Sequence, residues 1–168
     1  MSRAKMQVRE ACANDSKELC SILNEIIEVG GTTGYEIKLS ESEFEFESCF
    51  LTGENYIGCF LAENDKMILG FQSLPNHPDL FGSWADIATF TRMTSKIGGV
   101  GTSLFKKTLK FSRKQNISTL NATTRADNKS GLSYYNKMGF TDYSVAMGIP
   151  LQNGTLVDRI SKKYIVTL

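Results

Sequence analysis

Residues 96–102, Lys-Ile-Gly-Gly-Val-Gly-Thr, constrain this chain more than any other segment. They follow an apolar run at residues 87–90 and open a segment of helical character at residues 103–114. Three glycines let the backbone pass close to a bulky ligand. A helix beginning there points unpaired N–H groups and the positive end of its dipole at whatever lies in front. The fold is therefore expected to set a strand directly before a helix, joined either by a cradle for a pyrophosphate or, taking the glycines alone, by a plain tight turn.

The rest of the composition narrows the setting. The 168 residues are 41% hydrophobic and 22% charged, which suits one domain over residues 1–168 with a full core. A net charge of +1 creates no field favouring nucleic acid or an acidic membrane, so the expected partner is a small acceptor. The longest apolar runs fall far short of the ~20 residues that span a bilayer. The opening Met-Ser-Arg-Ala-Lys-Met lacks the apolar stretch of a secretion signal. Cys12, Cys20, Cys49 and Cys59 show no zinc-type spacing, and His77 stands alone between prolines. Reduced thiols, no metal and a cytoplasmic location are the expectation.

Periodicity orders the elements. Residues 7–11 form a first strand. Asp15-Ser16-Lys17-Glu18 has the form of a capping box. Leu19, Ile22, Leu23, Ile26 and Ile27 share one face of the helix it starts, and Gly30-Gly31 stops it. Ser40 with Glu43 starts a shorter helix carrying Phe44, Phe46 and Phe50, ended by Gly53. Strands follow at 56–62 and 67–73 around a turn at 63–66. A fourth strand covers 84–91, a fifth 118–123, and 140–147 and 157–167 close the sheet around Asn153-Gly154. Helices at 103–114 and 128–138 complete the order β-α-α-β-β-β-α-β-α-β-β. That order describes one mixed sheet with helices on both faces, an α/β (α+β) fold.

Three ligand classes use glycine cradles. A P-loop needs lysine after its last glycine, and here Gly101 precedes Thr102-Ser103. A dinucleotide fingerprint belongs in the first βαβ unit with an acid about 20 residues on. Here the segment is central, and Asn121-Ala122 carries no acid. The third class is an acyl-coenzyme A site. Lys96-Ile97-Gly98-Gly99-Val100-Gly101 resembles the Gln/Arg-x-x-Gly-x-Gly/Ala signature of the GCN5-related N-acetyltransferase (GNAT) superfamily, with lysine in the first place. Asn128, Gly131, Tyr135 and Gly139-Phe140 match its second signature in order and spacing. The close resemblance runs from Asp86 to Phe140. Thr32-Thr33-Gly34-Tyr35-Glu36 is similar to the branch that acetylates amino acids and phosphinothricin-type amines. One departure is Thr91-Arg92-Met93, where the family usually has Val-x-Pro.

The resemblance implies a single GNAT-like domain with about seven mostly antiparallel strands, splayed in the middle. It implies acetyl-CoA as cosubstrate, a small-molecule amine as acceptor, direct transfer, and a homodimer as an open option. Backbone amides across Gly99, Val100, Gly101, Thr102 and Ser103 would hold the diphosphate, with Gly98 in the turn and Lys96 adding a point charge. An amide at Phe90 or Thr91 would polarise the thioester carbonyl. Tyr135 would donate a proton to the leaving thiolate or pack against the coenzyme. Asn128 would cap its helix or bind coenzyme A. Only about one alkylammonium in a thousand is neutral at pH 7, so a base is needed. Asp86 at the strand start and Glu36 in the acceptor loop are the candidates, as base or as ammonium anchor, with His77 behind them. Trp84 and Phe81 either line the acceptor pocket or belong to the core. A protein amine as acceptor and a catalytically silent acyl-CoA sensor are the alternatives.

Overall fold

The computed structural model describes residues 5–47, 56–65, 67–77 and 79–167. Cys49, Phe50, Gly53 and Lys66 lie outside the described residues. Strand β1 (Gln7–Glu10) leads through a short 3-10 turn (Ala13–Asp15) into α1 (Ser16–Val29) and α2 (Glu41–Glu47). Then come β2 (Tyr56–Asn64), β3 (Met67–Pro75), β4 (Trp84–Asp86) and β5 (Ala88–Thr91). After them, α3 (Val100–Lys114), β6 (Thr119–Arg125), α4 (Lys129–Met138), β7 (Thr141–Pro150) and β8 (Leu156–Ile165) complete the order.

The expected fourth strand is two strands. Its first half, β4, pairs in parallel with β6, and its second half, β5, pairs antiparallel with β3. The hydrogen-bonded orders are β1-β2-β3-β5 and β4-β6-β8-β7, so eight strands form two four-stranded sheets. Every pairing except β4 with β6 is antiparallel. The switch falls at Ile87, whose amide still donates to the Asn121 carbonyl at 2.9 Å. Beyond it the two sheets part.

Alternation along β2 builds a core on each face. Phe60 and Ala62 join Leu104, Phe105, Tyr135 and Phe140 under α3 and α4. Cys59 and Leu61 join Leu19, Ile22, Leu23, Phe44 and Phe71 under α1 and α2. The five apolar positions expected on α1 are all buried. Ser40 and Glu43 make the expected reciprocal cap: the Ser40 amide and hydroxyl both donate to Glu43 Oε2, at 2.6 and 2.7 Å.

Asp15 does not cap α1 as its spacing suggests. Its carboxylate turns back to the Cys12 amide at 2.8 Å and takes the Arg9 guanidinium with both oxygens at 2.8 Å. A bidentate charged pair outweighs a single neutral cap bond. The hydrogen bonds from the Arg9 guanidinium, helped by the Cys12 amide, outweigh the cost of burial and hold the Asp15 carboxyl at about 2, below the ordinary carboxylate range. The other half of the expected box, Glu18, accepts instead from Arg92 at 2.8 Å and from the Ile68 amide at 3.1 Å.

Candidate active site

Where β5 and β6 part, the direction of each backbone amide decides what the gap offers. The Arg92 amide donates to the Leu69 carbonyl of β3 at 2.8 Å. Alternation in an antiparallel pair sends the Phe90 amide to β3 as well, and turns the Thr89 and Thr91 amides into the gap. Of the two candidates read from sequence, Thr91 therefore has a free amide, and that of Phe90 is spent in the sheet. Phe90 itself is buried, its ring 4.9 Å from that of Phe71. Arg92 fixes the end of β5. Its guanidinium donates to Glu18, to Glu25 at 3.0 Å and to the Ile68 carbonyl at 2.8 Å, which ties the strand to α1.

The glycine turn ends at α3. Gly99 is the N-cap with φ 82°, a left-handed conformation that side chains rarely adopt. The first intrahelical bond runs from the Ser103 amide to the Gly99 carbonyl at 2.9 Å. The amides of Val100, Gly101 and Thr102 precede it and have no intrahelical partner. Ser103 thus differs from expectation, since it has a hydroxyl to offer and no amide. Lys96 and Gly98 are exposed in the turn. A Cβ on Gly101 would stand 2.7 Å from the Tyr134 ring, so only glycine fits where the helix meets that tyrosine.

Two hollows meet at Thr91 and Gly101. One, about 220 Å³, lies at the glycine turn, and the other is a cleft of about 530 Å³ along the gap. The cleft is walled by Thr32 to Tyr35 of the α1–α2 loop, by β5, by Thr123 to Arg125, by Asn128 and by Tyr134 and Tyr135. The Tyr135 hydroxyl sits 3.1 Å from Thr89 Oγ1. Gln72 Nε2 donates to that same Oγ1 at 2.8 Å and to the Tyr134 hydroxyl at 3.2 Å. Burial pushes the Tyr135 phenol well above its ordinary pKa, so it stays protonated.

Asn128 is the N-cap of α4. Its Oδ1 accepts the Gly131 amide at 2.9 Å, and its Nδ2 donates to the Thr32 carbonyl at 2.7 Å. The residue borders the cleft with both ends of its side chain engaged. Asp86 lies on the opposite face of the sheet from Tyr135, accepting from Asn121 Nδ2 at 2.8 Å, and Asn121 Oδ1 accepts the Tyr143 hydroxyl at 2.6 Å. Burial raises the Asp86 pKa. Glu36 is not brought to Asp86. It is exposed and accepts the Gln152 amide at 3.1 and 3.2 Å, pinning the loop to the β7–β8 turn. Asp86 and Glu36 both stand outside the cleft lining. Trp84 and Phe81 form an edge-on aromatic pair that is also outside it, with Phe81 74% exposed. His77 Nδ1 accepts the Asp79 amide at 3.2 Å, also away from the lining.

Sequence reasoning passed over Gln72, Thr89, Arg125 and Arg159. No motif marks them, and they meet only through strand register. Arg125 is 7% exposed and holds Asp127 with Nε at 2.9 Å and Nη2 at 2.7 Å.

A gap between two parting strands, with the Thr91 amide turned into it and a bare helix tip beyond, has the form of a site that can receive an acyl group carried on a diphosphate-bearing thiol arm. The chain belongs to the acetyltransferase (GNAT) family, whose profile matches residues 20–140. It is an acetyl-CoA-dependent acetyltransferase. No curated protein matches the sequence. Among solved structures, the fold is similar to a phosphinothricin acetyltransferase from Sinorhizobium meliloti in complex with AcCoA, with TM-score 0.83 and 16% identity over 96% of this chain and 88% of that one. It is similar to yncA from Salmonella typhimurium with its cofactor acetyl-CoA, with TM-score 0.80 and 14% identity over 96% and 94%. It is also similar to a ribosomal-protein-alanine N-acetyltransferase from Brucella melitensis, with TM-score 0.84 and 17% identity over 95% and 99%. Among the described residues no three His, Cys, Asp or Glu cluster as a metal site, and no helix is long and apolar enough to cross a membrane.

Proposed function

We propose that this chain moves the acetyl group of acetyl-CoA to the primary amine of a small molecule, an amino acid or related amine, by direct attack. The observation that carries the reading is the division of residues 84–91 at Ile87, which leaves Thr91 with an amide directed at the gap. Acetyl-CoA supplies the acetyl group already activated as a thioester. The residues present fit it: the Val100, Gly101 and Thr102 amides hold the diphosphate, with Lys96, Gly98 and Gly99 in the turn and the Ser103 hydroxyl beside them. The Thr91 amide donates to the acetyl oxygen, where charge grows during attack.

Tyr135 serves the leaving sulfur. Thr89 Oγ1 accepts from Gln72, so its own proton is free to point at the Tyr135 oxygen; the phenolic proton, which is donated at 3.5 Å to the Ile87 carbonyl, turns from that long bond to the sulfur when the coenzyme is bound. A phenol raised above pKa 10 gives its proton to a thiolate of ordinary pKa near 8.5 only uphill. Tyr135 therefore keeps its proton and holds the leaving sulfur, which departs as a thiolate, by a hydrogen bond; the C–N bond forms as the C–S bond breaks, and the one proton released is the amine's. Asp86, made more basic by burial, takes the amine's proton through water. Glu36 holds the loop and does no chemistry. Asn128 keeps α4 and the Thr32 carbonyl in place beside the coenzyme arm, and Phe90 backs the gap.

A small acceptor is favoured over a protein because the cleft of about 530 Å³ has to admit both the thiol arm and the acceptor. The test is thiol release from acetyl-CoA across amino acids, simple amines and a peptide with a free N-terminus. Release with small amines is expected. A peptide outpacing every small amine refutes the acceptor class, and binding without release under any acceptor makes the protein a sensor.

A further inference from the structure

We propose that Arg159, backed by Arg125, binds a carboxylate of the acceptor, so that the acceptor is an α-amino acid; this rests on the acetyl-transfer reading above. Arg125 on β6 and Arg159 on β8 stand directly opposite each other. Residues so paired project from the same face of the sheet. That face is the one opposite α3 and α4, since Arg125 Nη1 reaches the Thr33 carbonyl at 3.4 Å. Both arginines line the cleft.

Like charges directly opposite across a ladder repel. Arg125 is compensated by its two bonds to Asp127. Arg159 is not compensated in this way. Its Nη1 is closed off from solvent and meets no hydrogen-bond acceptor among the described residues. Asp127 acts electrostatically on both guanidiniums and Glu36 on Arg125, yet neither carboxylate hydrogen-bonds Arg159 Nη1, which is left as a buried donor on the cleft wall. A buried donor left unmade is costly, and a charged one more so, which makes the arrangement one that a ligand completes. The guanidinium fork takes a carboxylate through two parallel N–H···O bonds.

The position suits the amine as well. Asn121, which holds Asp86, lies four residues from Arg125 on the same face of β6, about 13 Å along the strand. A carboxylate seated on Arg159 leaves the α-amine on the side of the cleft bordered by Thr89 to Thr91.

The experiment compares each of the twenty L-α-amino acids with its own carboxamide as acceptor, by thiol release from acetyl-CoA. The amine of a carboxamide loses its proton more readily, so a preference for the acid does not come from amine ionisation. The best acid is expected to exceed its amide by about 30-fold in kcat/KM, the ratio a charged hydrogen bond gives. In Arg159→Gln that ratio is expected to fall below about threefold, with Arg159→Lys between. Calorimetric binding of the same acid to the free protein should be lost in Arg159→Gln. That variant should melt no more than slightly below the parent, because the buried Nη1 it removes makes no hydrogen bond. Amides accepted as well as acids, a ratio unmoved by Arg159→Gln, undiminished acid binding, or an acetyl-CoA-binding protein that accepts none of the acids each overturns the anchor. A protein that fails to bind acetyl-CoA in the calorimeter overturns the acetyl-transfer reading instead, and acid binding to the free protein still judges Arg159.

Discussion

Replacing Thr91 with proline separates the gap-facing amide from everything else in β5. Proline removes one N–H and fixes φ near −65°, and in a sheet it is tolerated where that N–H faces away from the partner strand. Thr91 meets that condition, since the Arg92 amide is bonded to Leu69 of β3 and alternation commits Phe90 to the same side. The variant therefore keeps the β3–β5 ladder and loses the donor to the acetyl oxygen. Loss of one such donor costs about 10²–10³ in kcat, or roughly 3–4 kcal/mol of transition-state stabilisation. Phe90→Pro is the matched control. It deletes a ladder bond and strands a buried carbonyl, costing about 1–3 kcal/mol of stability. Steady-state thiol release gives kcat, and thermal melts give stability. Thr91→Pro is expected to be slow and nearly as stable as the parent, and Phe90→Pro to be unstable. The reasoning fails if Thr91→Pro binds acetyl-CoA normally and keeps kcat within about threefold. It fails equally if the two variants melt alike.

Tyr135→Phe removes the donor to the sulfur and is expected to lower kcat by about 10²-fold or more. Because burial raises the phenol's pKa, its protonated form persists as pH rises past 10. The parent's kcat should therefore show no alkaline fall from this group below pH 10, and a kcat–pH profile that drops at pH 8–9 only in the parent contradicts that assignment. Gly101→Ala drives a methyl to within 2.7 Å of the Tyr134 ring, which is held by its hydroxyl on the Gly101 carbonyl at 2.9 Å. Overpacking of this kind costs about 1–3 kcal/mol. The dissociation constant of acetyl-CoA, measured by calorimetry, should rise at least tenfold as the helix tip shifts. Asp15→Asn at pH 7 should cost about 2 kcal/mol in urea unfolding, the free energy of moving a carboxyl pKa from 3.8 to about 2. The folded pKa is the lower one, so this contribution is present above pH 4 and is lost as pH falls toward 2. Parent and variant should converge there, and a gap that stays constant from pH 7 to pH 3 refutes the linkage.

Local signals carried some parts of this fold and were overruled in others. The buried face of α1 was legible because five apolar residues at helical spacing over fourteen residues leave one solution. The Ser40–Glu43 cap and the turn at Gly139 are local in the same sense. The Asp15–Glu18 box has the same spacing as a working cap, yet its two carboxylates go to Arg9 and Arg92, and no feature within four residues foretells those partners. Residues 84–91 show a single extended run, because both halves are extended and apolar. Only long-range pairing, with residues 119–121 on one side and 70–73 on the other, divides it.

The same distinction explains which site residues the sequence displayed. The diphosphate cradle is made by consecutive residues, so its glycines announce it. Tyr135 and Asn128 sit at fixed distances from one helix start. The acceptor side is built differently. Arg125 and Arg159 are brought together by the β6–β8 register, and Thr33 reaches Arg125 from a loop far upstream. Specificity assembled from three separated segments changes without touching the cradle, since each wall residue varies alone on an unchanged ladder. The coenzyme end is thus readable in a single chain, and the acceptor end becomes readable once the strands are paired.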